Sequence, residues 1–180
     1  MIGRLVTLGA VILLAACHGS ASGPSAGQLQ AKWAGSDSGK LTAKARAVWC
    51  APGRLLEVIG VDSDAGLGLA IYPSDSAMDG EFPVMDPRQD SLQRPRTAVG
   101  IRWFTETQIK GYQGDSGGLK LTRRQRVLDG ALEAKLHAAG TPETIRVNAS
   151  FRGVPLVTDS SARCRSGSVT GEPADSAPED

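Results

Sequence analysis

The sequence predicts an all-β protein: a single antiparallel β-sandwich or barrel-like domain of about nine or ten short strands. Two features carry the prediction. Apolar residues recur with a period of two, not 3.6, through most of the stretch from Leu41 to Phe151. Clusters of Gly, Pro, Asp and Ser punctuate these runs at a spacing that suits β-hairpins. Only Leu128–His137, rich in Ala, Leu, Glu and Lys, has a helical composition. Gly130 and the alternation of Leu132, Ala134 and Leu136 turn that segment toward a strand as well.

Leu41, Ala43, Ala45, Ala47 and Trp49 alternate with Thr42, Lys44, Arg46 and Val48, the pattern of a half-buried strand. Leu55–Val61 is a second run, closed by the turn residues Asp62-Ser63-Asp64-Ala65-Gly66. Leu67, Leu69 and Ile71 mark a third. After a loop over Pro73–Gly80, Phe82 and Val84 mark a short strand that Pro83 places at a sheet edge. Asp86–Arg96 is a polar loop. Thr97–Phe104 is the most hydrophobic strand candidate, and Gln108–Gln113 follows it. Gly118–Thr122 and Val127–Leu136 are expected as further separate strands. Between Gln113 and Leu119, Gly114-Asp115-Ser116-Gly117-Gly118 is expected to be a hairpin turn, with Gly114 and Gly117 supplying positive φ. Ile145, Val147, Ala149 and Phe151 alternate next, and Val154–Val157 is a last short run.

The two ends of the chain read differently. Leu5–Ala16 is apolar, follows the single charge of Arg4, and is too short to span a bilayer comfortably, which suits a signal peptide. It ends in Leu14-Ala15-Ala16-Cys17, which resembles the lipobox of bacterial lipoproteins. The resemblance implies cleavage before Cys17, a lipid on its thiol and acylation of the new amino group. His18 stands where an Asp would imply retention at the inner membrane, so the resemblance favours the outer membrane. Residues 1–16 are thus a signal peptide and 17–29 a lipidated cysteine with a Gly/Ser/Pro/Ala tether. Residues 30–164 form the β-domain, and 165–180 an acidic tail expected to be disordered.

The full chain carries 20 Lys and Arg against 19 Asp and Glu; losing Arg4 leaves 19 against 19. A neutral balance gives no general pull toward nucleic acid, and none is expected as a partner. Besides Cys17, only Cys50 and Cys164 remain, an even number suited to an oxidising compartment. A Cys50–Cys164 disulfide is expected, closing a loop of about 100 residues worth roughly 4.7 kcal/mol in the chain-entropy model.

Gly114–Gly118 matches the nucleophile segment of chymotrypsin-like serine proteases. The rest of that constellation is missing. The only histidines are His18 and His137, neither in the family's setting, and Leu119 follows where the family has Pro. Ser116 is therefore read as a turn residue, and a serine hydrolase using Ser116 and His137 is the least favoured function. Asp62-x-Asp64-x-Gly66 opens like a calcium loop but lacks the distal Glu, so no metal ligand, cofactor or catalytic residue is assigned. Lys120, Arg123, Arg124 and Arg126 form the densest positive run. Trp103 and Phe104 are adjacent, so one of them faces out. Arg123, Arg124, Arg126 and Trp103 are the candidate surface-binding residues.

The Gly117-x-Leu119-x-Leu121-Thr122 run before Asp129-Gly130-Ala131-Leu132-x-Ala134 resembles small β-sandwich lipoproteins of Gram-negative bacteria. The function expected is non-catalytic: a membrane-anchored binding or structural domain holding an envelope protein or a glycan. A glycan- or lipid-binding module built on exposed aromatics and the basic hairpin is the alternative.

Overall fold

The computed structural model describes residues 26–75, 78–87 and 93–160. The signal segment, Cys17, His18, the tether before residue 26, Cys164 and the acidic tail lie outside the described residues. The chain is all-β. Its strands are β1 (Gln28–Gly35), β2 (Gly39–Cys50), β3 (Leu55–Val61), β4 (Ala65–Tyr72), β5 (Gly80–Pro83), β6 (Arg96–Phe104), β7 (Ile109–Arg124), β8 (Val127–Ala138) and β9 (Thr144–Asp159).

Of the sandwich and barrel alternatives, the barrel is the one formed. Eight strands close antiparallel in the order β1-β2-β3-β4-β6-β7-β8-β9, and β9 returns to β1. Closure removes the exposed strand edges that an open sheet must protect. β5 stands outside this cycle and pairs with Gly118–Leu121 of β7. It enters where β6 and β7 part, since β6 pairs only with Ile109–Gln113. Val84 N–H bonds to the Gly117 carbonyl at 2.9 Å, and Met85 N–H to the Thr97 carbonyl at 3.1 Å, so the chain after β5 bridges the split.

Three features correct the sequence reading. The tether was expected to run to residue 29, but β1 begins at Gln28, with Leu29, Ala31 and Trp33 facing the core. Gly114–Gly118 is not a hairpin turn. The chain runs through it as one 16-residue strand, interrupted only by a β-bulge between Gly114 and Ser116. Gly117 takes φ 127° as expected, but Gly114 is not among the positive-φ glycines. The last two runs likewise form one 16-residue strand, β9, with Gly153 at φ 59° where they join. In the last two cases glycine marks a bend within a long barrel strand rather than its end.

The inner face is filled by side chains. Trp33 of β1 reaches across the barrel to Trp103 of β6, with ring centroids 5.0 Å apart, and Trp103 stacks on Tyr112 of β7 at 5.3 Å and 5°. β1 and β6 lie on opposite walls, so these rings plug the lumen near one end. Small inward residues, Ala31, Ala43, Ala45, Ala47, Ala134 and Ala149, lie on β1, β2, β8 and β9. They leave room for the rings and for the leucines of the facing wall. Glycine is required at two points by these rings. A β-carbon at Gly39 would overlap the Trp33 ring, and one at Gly130 would overlap the Phe151 ring that lies over it.

Where β1 begins, its neighbours meet: Ala47–Cys50 of β2 pairs in parallel with Leu156–Asp159 of β9. Cys50 is fully buried there with Val48 and Leu55, and its register partner Asp159 precedes Cys164 by five residues. This placement is compatible with the expected disulfide, which remains a proposal because Cys164 lies outside the described residues. Arg94 and Arg96 cover the neighbouring Tyr72 ring at 5.5 and 4.6 Å.

Candidate functional site

The bulge in β7 is where polar side chains from distant segments converge. Gly114 pairs with Leu136 and Ser116 with Lys135, so Asp115 is the extra residue with no partner in β8. The Lys135 ammonium lies 3.8 Å from the Asp115 carboxylate. His137 stands two residues further along β8, opposite Gln113. Asp86 arrives from the segment that bridges β6 and β7. Gly114 is bare at this point, and a β-carbon there would lie 2.7 Å from Val84 Cγ1, so glycine lets the bridging segment close onto the barrel. Asp86 is only 6% exposed. One carboxylate oxygen of Asp86, one of Asp115 and one ring nitrogen of His137 all lie within 4.8 Å of one another. His137 Nδ1 is buried with no hydrogen-bond partner among the described residues.

Ser116 does not join this group. It is exposed, in a shallow depression of about 390 Å³ lined on the other side by Glu133, Arg146 and Asn148. No hydrogen bond joins Ser116 to His137 among the described residues.

The outer wall of β3, β4, β6 and β7 forms a second feature. Across it run two rows of outward positions. Ile59, Gly68, Gly100 and Gln113 form one; Val61, Gly66, Arg102 and Gly111 form the other. The floor is therefore largely backbone, and the depression over it has a volume of about 550 Å³. Ile59 is 43% and Val61 60% exposed on one rim. Phe104 and Ile109, register partners at the end of β6 and the start of β7, are exposed as well. Four of the five large hydrophobic residues exposed among the described residues thus lie on three strands of one wall. Clustering of this kind marks interaction surfaces.

The candidate surface residues separate. Trp103 is turned into the barrel, 9% exposed, because its position on β6 is in phase with Val99 and Ile101. Phe104 is the exposed member of the pair. Arg123, Arg124 and Arg126 do sit at the β7–β8 hairpin, whose turn residue Gln125 takes φ 56°. They are partly engaged locally. Arg123 donates to the Gln125 carbonyl at 3.0 Å and its backbone N–H to the Asp79 carboxylate, while Arg124 lies 3.6 Å from Asp129. Phe104 pairs with Ile109 at the start of β7 and Arg124 ends it. Fifteen residues of strand separate those ends, roughly 50 Å along the strand at about 3.3 Å per residue. The aromatic and the arginines do not share a face.

At the barrel end nearest Trp33, Lys110 Nζ donates to the Asp37 carboxylate at 2.6 Å. This bond holds the Asp37 carboxyl below its ordinary range and the Lys110 ammonium above its own. Burial, reinforced by the hydrogen bond from Tyr112 Oη to Glu143 at 3.2 Å, pushes the Tyr112 phenol up. The Asp62 carboxylate accepts the Ser63 N–H at 2.8 Å, a turn-forming contact at the β3–β4 connection.

Sequence reasoning reached Asp115, Ser116 and His137 but not Asp86, and it placed no function on the glycine wall. The available signal for that wall was glycine at outward positions of otherwise well-formed strands. No family model, curated protein or solved structure matches the chain.

Proposed function

We propose that this chain is a lipid-anchored protein of the bacterial cell envelope, held at the outer membrane through Cys17, whose barrel docks a protein partner on its outer wall and does no chemistry. The lipobox Leu14–Cys17 supports the anchor. The docking function rests on one observation, the glycine floor of the wall. At Gly68, Gly100 and Gly111 the backbone is not left-handed, and an added β-carbon would meet nothing within 4 Å. The fold does not need glycine there. Each such glycine costs about 0.5–1 kcal/mol relative to alanine within a regular element. Glycine inside a strand commonly marks close approach of another backbone or a ligand. A partner laid on this floor, gripping Ile59 and Val61 at its rim, accounts for the bareness.

The wall suits a protein segment with apolar side chains better than a glycan, since Ile59, Val61 and Ile109 are aliphatic, Trp103 is turned inward, and Phe104 is its single exposed aromatic among the described residues. The hydrolase reading is not retained, because no hydrogen bond joins the exposed Ser116 to His137 among the described residues.

The test fills the floor without harming the fold. Gly68→Gln and Gly100→Gln are expected to keep or slightly raise thermal stability. Both are expected to abolish co-purification of an envelope protein that wild type retains after crosslinking. Unchanged co-purification in both variants would contradict the docking surface. Concentration-dependent dimerisation of wild type, lost in the variants, would assign the wall to a second copy and contradict a separate partner.

A further inference from the structure

We propose that Asp86, Asp115 and His137 hold a divalent transition-metal ion. This does not depend on the docking function. The three residues come from separate parts of the chain, and each is fixed by backbone structure. The bridging segment that carries Asp86 is tied to both flanking strands through Val84 and Met85. Asp115 is displaced from the β7–β8 ladder by the bulge. His137 is held in β8, opposite Gln113.

Two carboxylates brought together, one of them 6% exposed, repel and lose solvation. The nearby Lys135 ammonium lies 3.8 Å from Asp115 and is itself half-exposed, so it offsets this only from the solvent side. His137 also carries a buried ring nitrogen, Nδ1, with no hydrogen-bond partner among the described residues. A dication placed among them would take one donor atom from each of the three residues.

The donor set selects the class of ion. One imidazole nitrogen and two carboxylate oxygens suit zinc or manganese. Calcium requires six to eight oxygen ligands, twice or more the three donors gathered here. Zinc takes nitrogen and oxygen ligands at about 2.0–2.2 Å, which places tetrahedral donors about 3.3 Å apart. Donors within 4.8 Å of one another close to that spacing by small side-chain rotations. Water completes the fourth position. The ion ties the β5–β6 connection to β7 and β8 where the barrel wall splits.

The test is isothermal titration of the metal-stripped full-length protein in detergent with zinc sulfate, manganese chloride and calcium chloride in turn. One equivalent of zinc or manganese is expected to bind, and to raise the thermal midpoint, with no comparable calcium binding. Asp115→Asn and His137→Gln are expected to weaken binding at least about tenfold, while His18→Ala leaves it unchanged. Asp115 is exposed enough, and the asparagine close enough in shape, for that variant to keep the metal-free melting curve; it decides the matter should His137→Gln misfold. The proposal is overturned by wild type that binds neither zinc nor manganese at tens of micromolar, by Asp115→Asn that binds as wild type does, or by loss of the site in His18→Ala.

Discussion

Replacing Gly117 with alanine is expected to destabilise the protein by about 3 kcal/mol or more. Gly117 has φ 127°, which L-residues rarely adopt. A β-carbon there would overlap the Glu133 carbonyl oxygen and lie 2.7 Å from Ala134 Cα. Both atoms are backbone of the neighbouring strand, so neither can swing aside as a side chain would. Relief requires opening the β7–β8 ladder, and the Gly117 carbonyl also anchors the bridging segment through Val84. Gly118→Ala is the internal control. Its β-carbon meets nothing within 4 Å, and the expected change is within about 0.5 kcal/mol. Urea denaturation of the two variants measures the difference. Equal midpoints would mean that the strand does not run through the motif as described.

Trp103→Ala is expected to cost about 3–5 kcal/mol, the range for emptying a buried aromatic site. The ring lies between Trp33 and Tyr112, and no neighbour is placed to collapse into the space, because the walls around it are held by closed strand pairing. Thermal and urea unfolding read the loss. Acrylamide quenching gives an independent readout, since wild-type Trp33 and Trp103 should be shielded relative to the partly buried Trp49. A ligand-stacking Trp103 on the surface would give the opposite pattern: strong quenching and stability within about 0.5 kcal/mol of wild type after substitution.

The all-β class was legible because alternation is a local signal. Leu41–Trp49 reads as one face of a sheet whatever lies beside it, and β2 follows that pattern through Ala47. Strand length was less legible. Gly114–Gly118 and Gly153 look like ends of strands, since glycine serves both turns and bends. Which it serves depends on barrel closure, a property of the whole sheet. β1 was missed although Leu29, Ala31 and Trp33 alternate with Gln28, Gln30 and Lys32, because the run is short and follows directly on the Gly/Ser/Ala tether. The inward direction of Trp103 could have been derived from its phase with Val99 and Ile101, had adjacent Phe104 not offered the same hydrophobicity. The Asp86–Asp115–His137 group could not be read at all. Its members lie far apart in sequence, and a bulge and a strand split bring them together.

The proposed lipid anchor underlies the proposed docking function, because it would fix the compartment in which a Cys50–Cys164 disulfide and a protein partner are expected. Metabolic labelling with radioactive palmitate in a Gram-negative host tests it directly. The account predicts that wild type is labelled and that Cys17→Ala is not. Wild type that takes up no label, or Cys17→Ala that keeps it, would contradict the account.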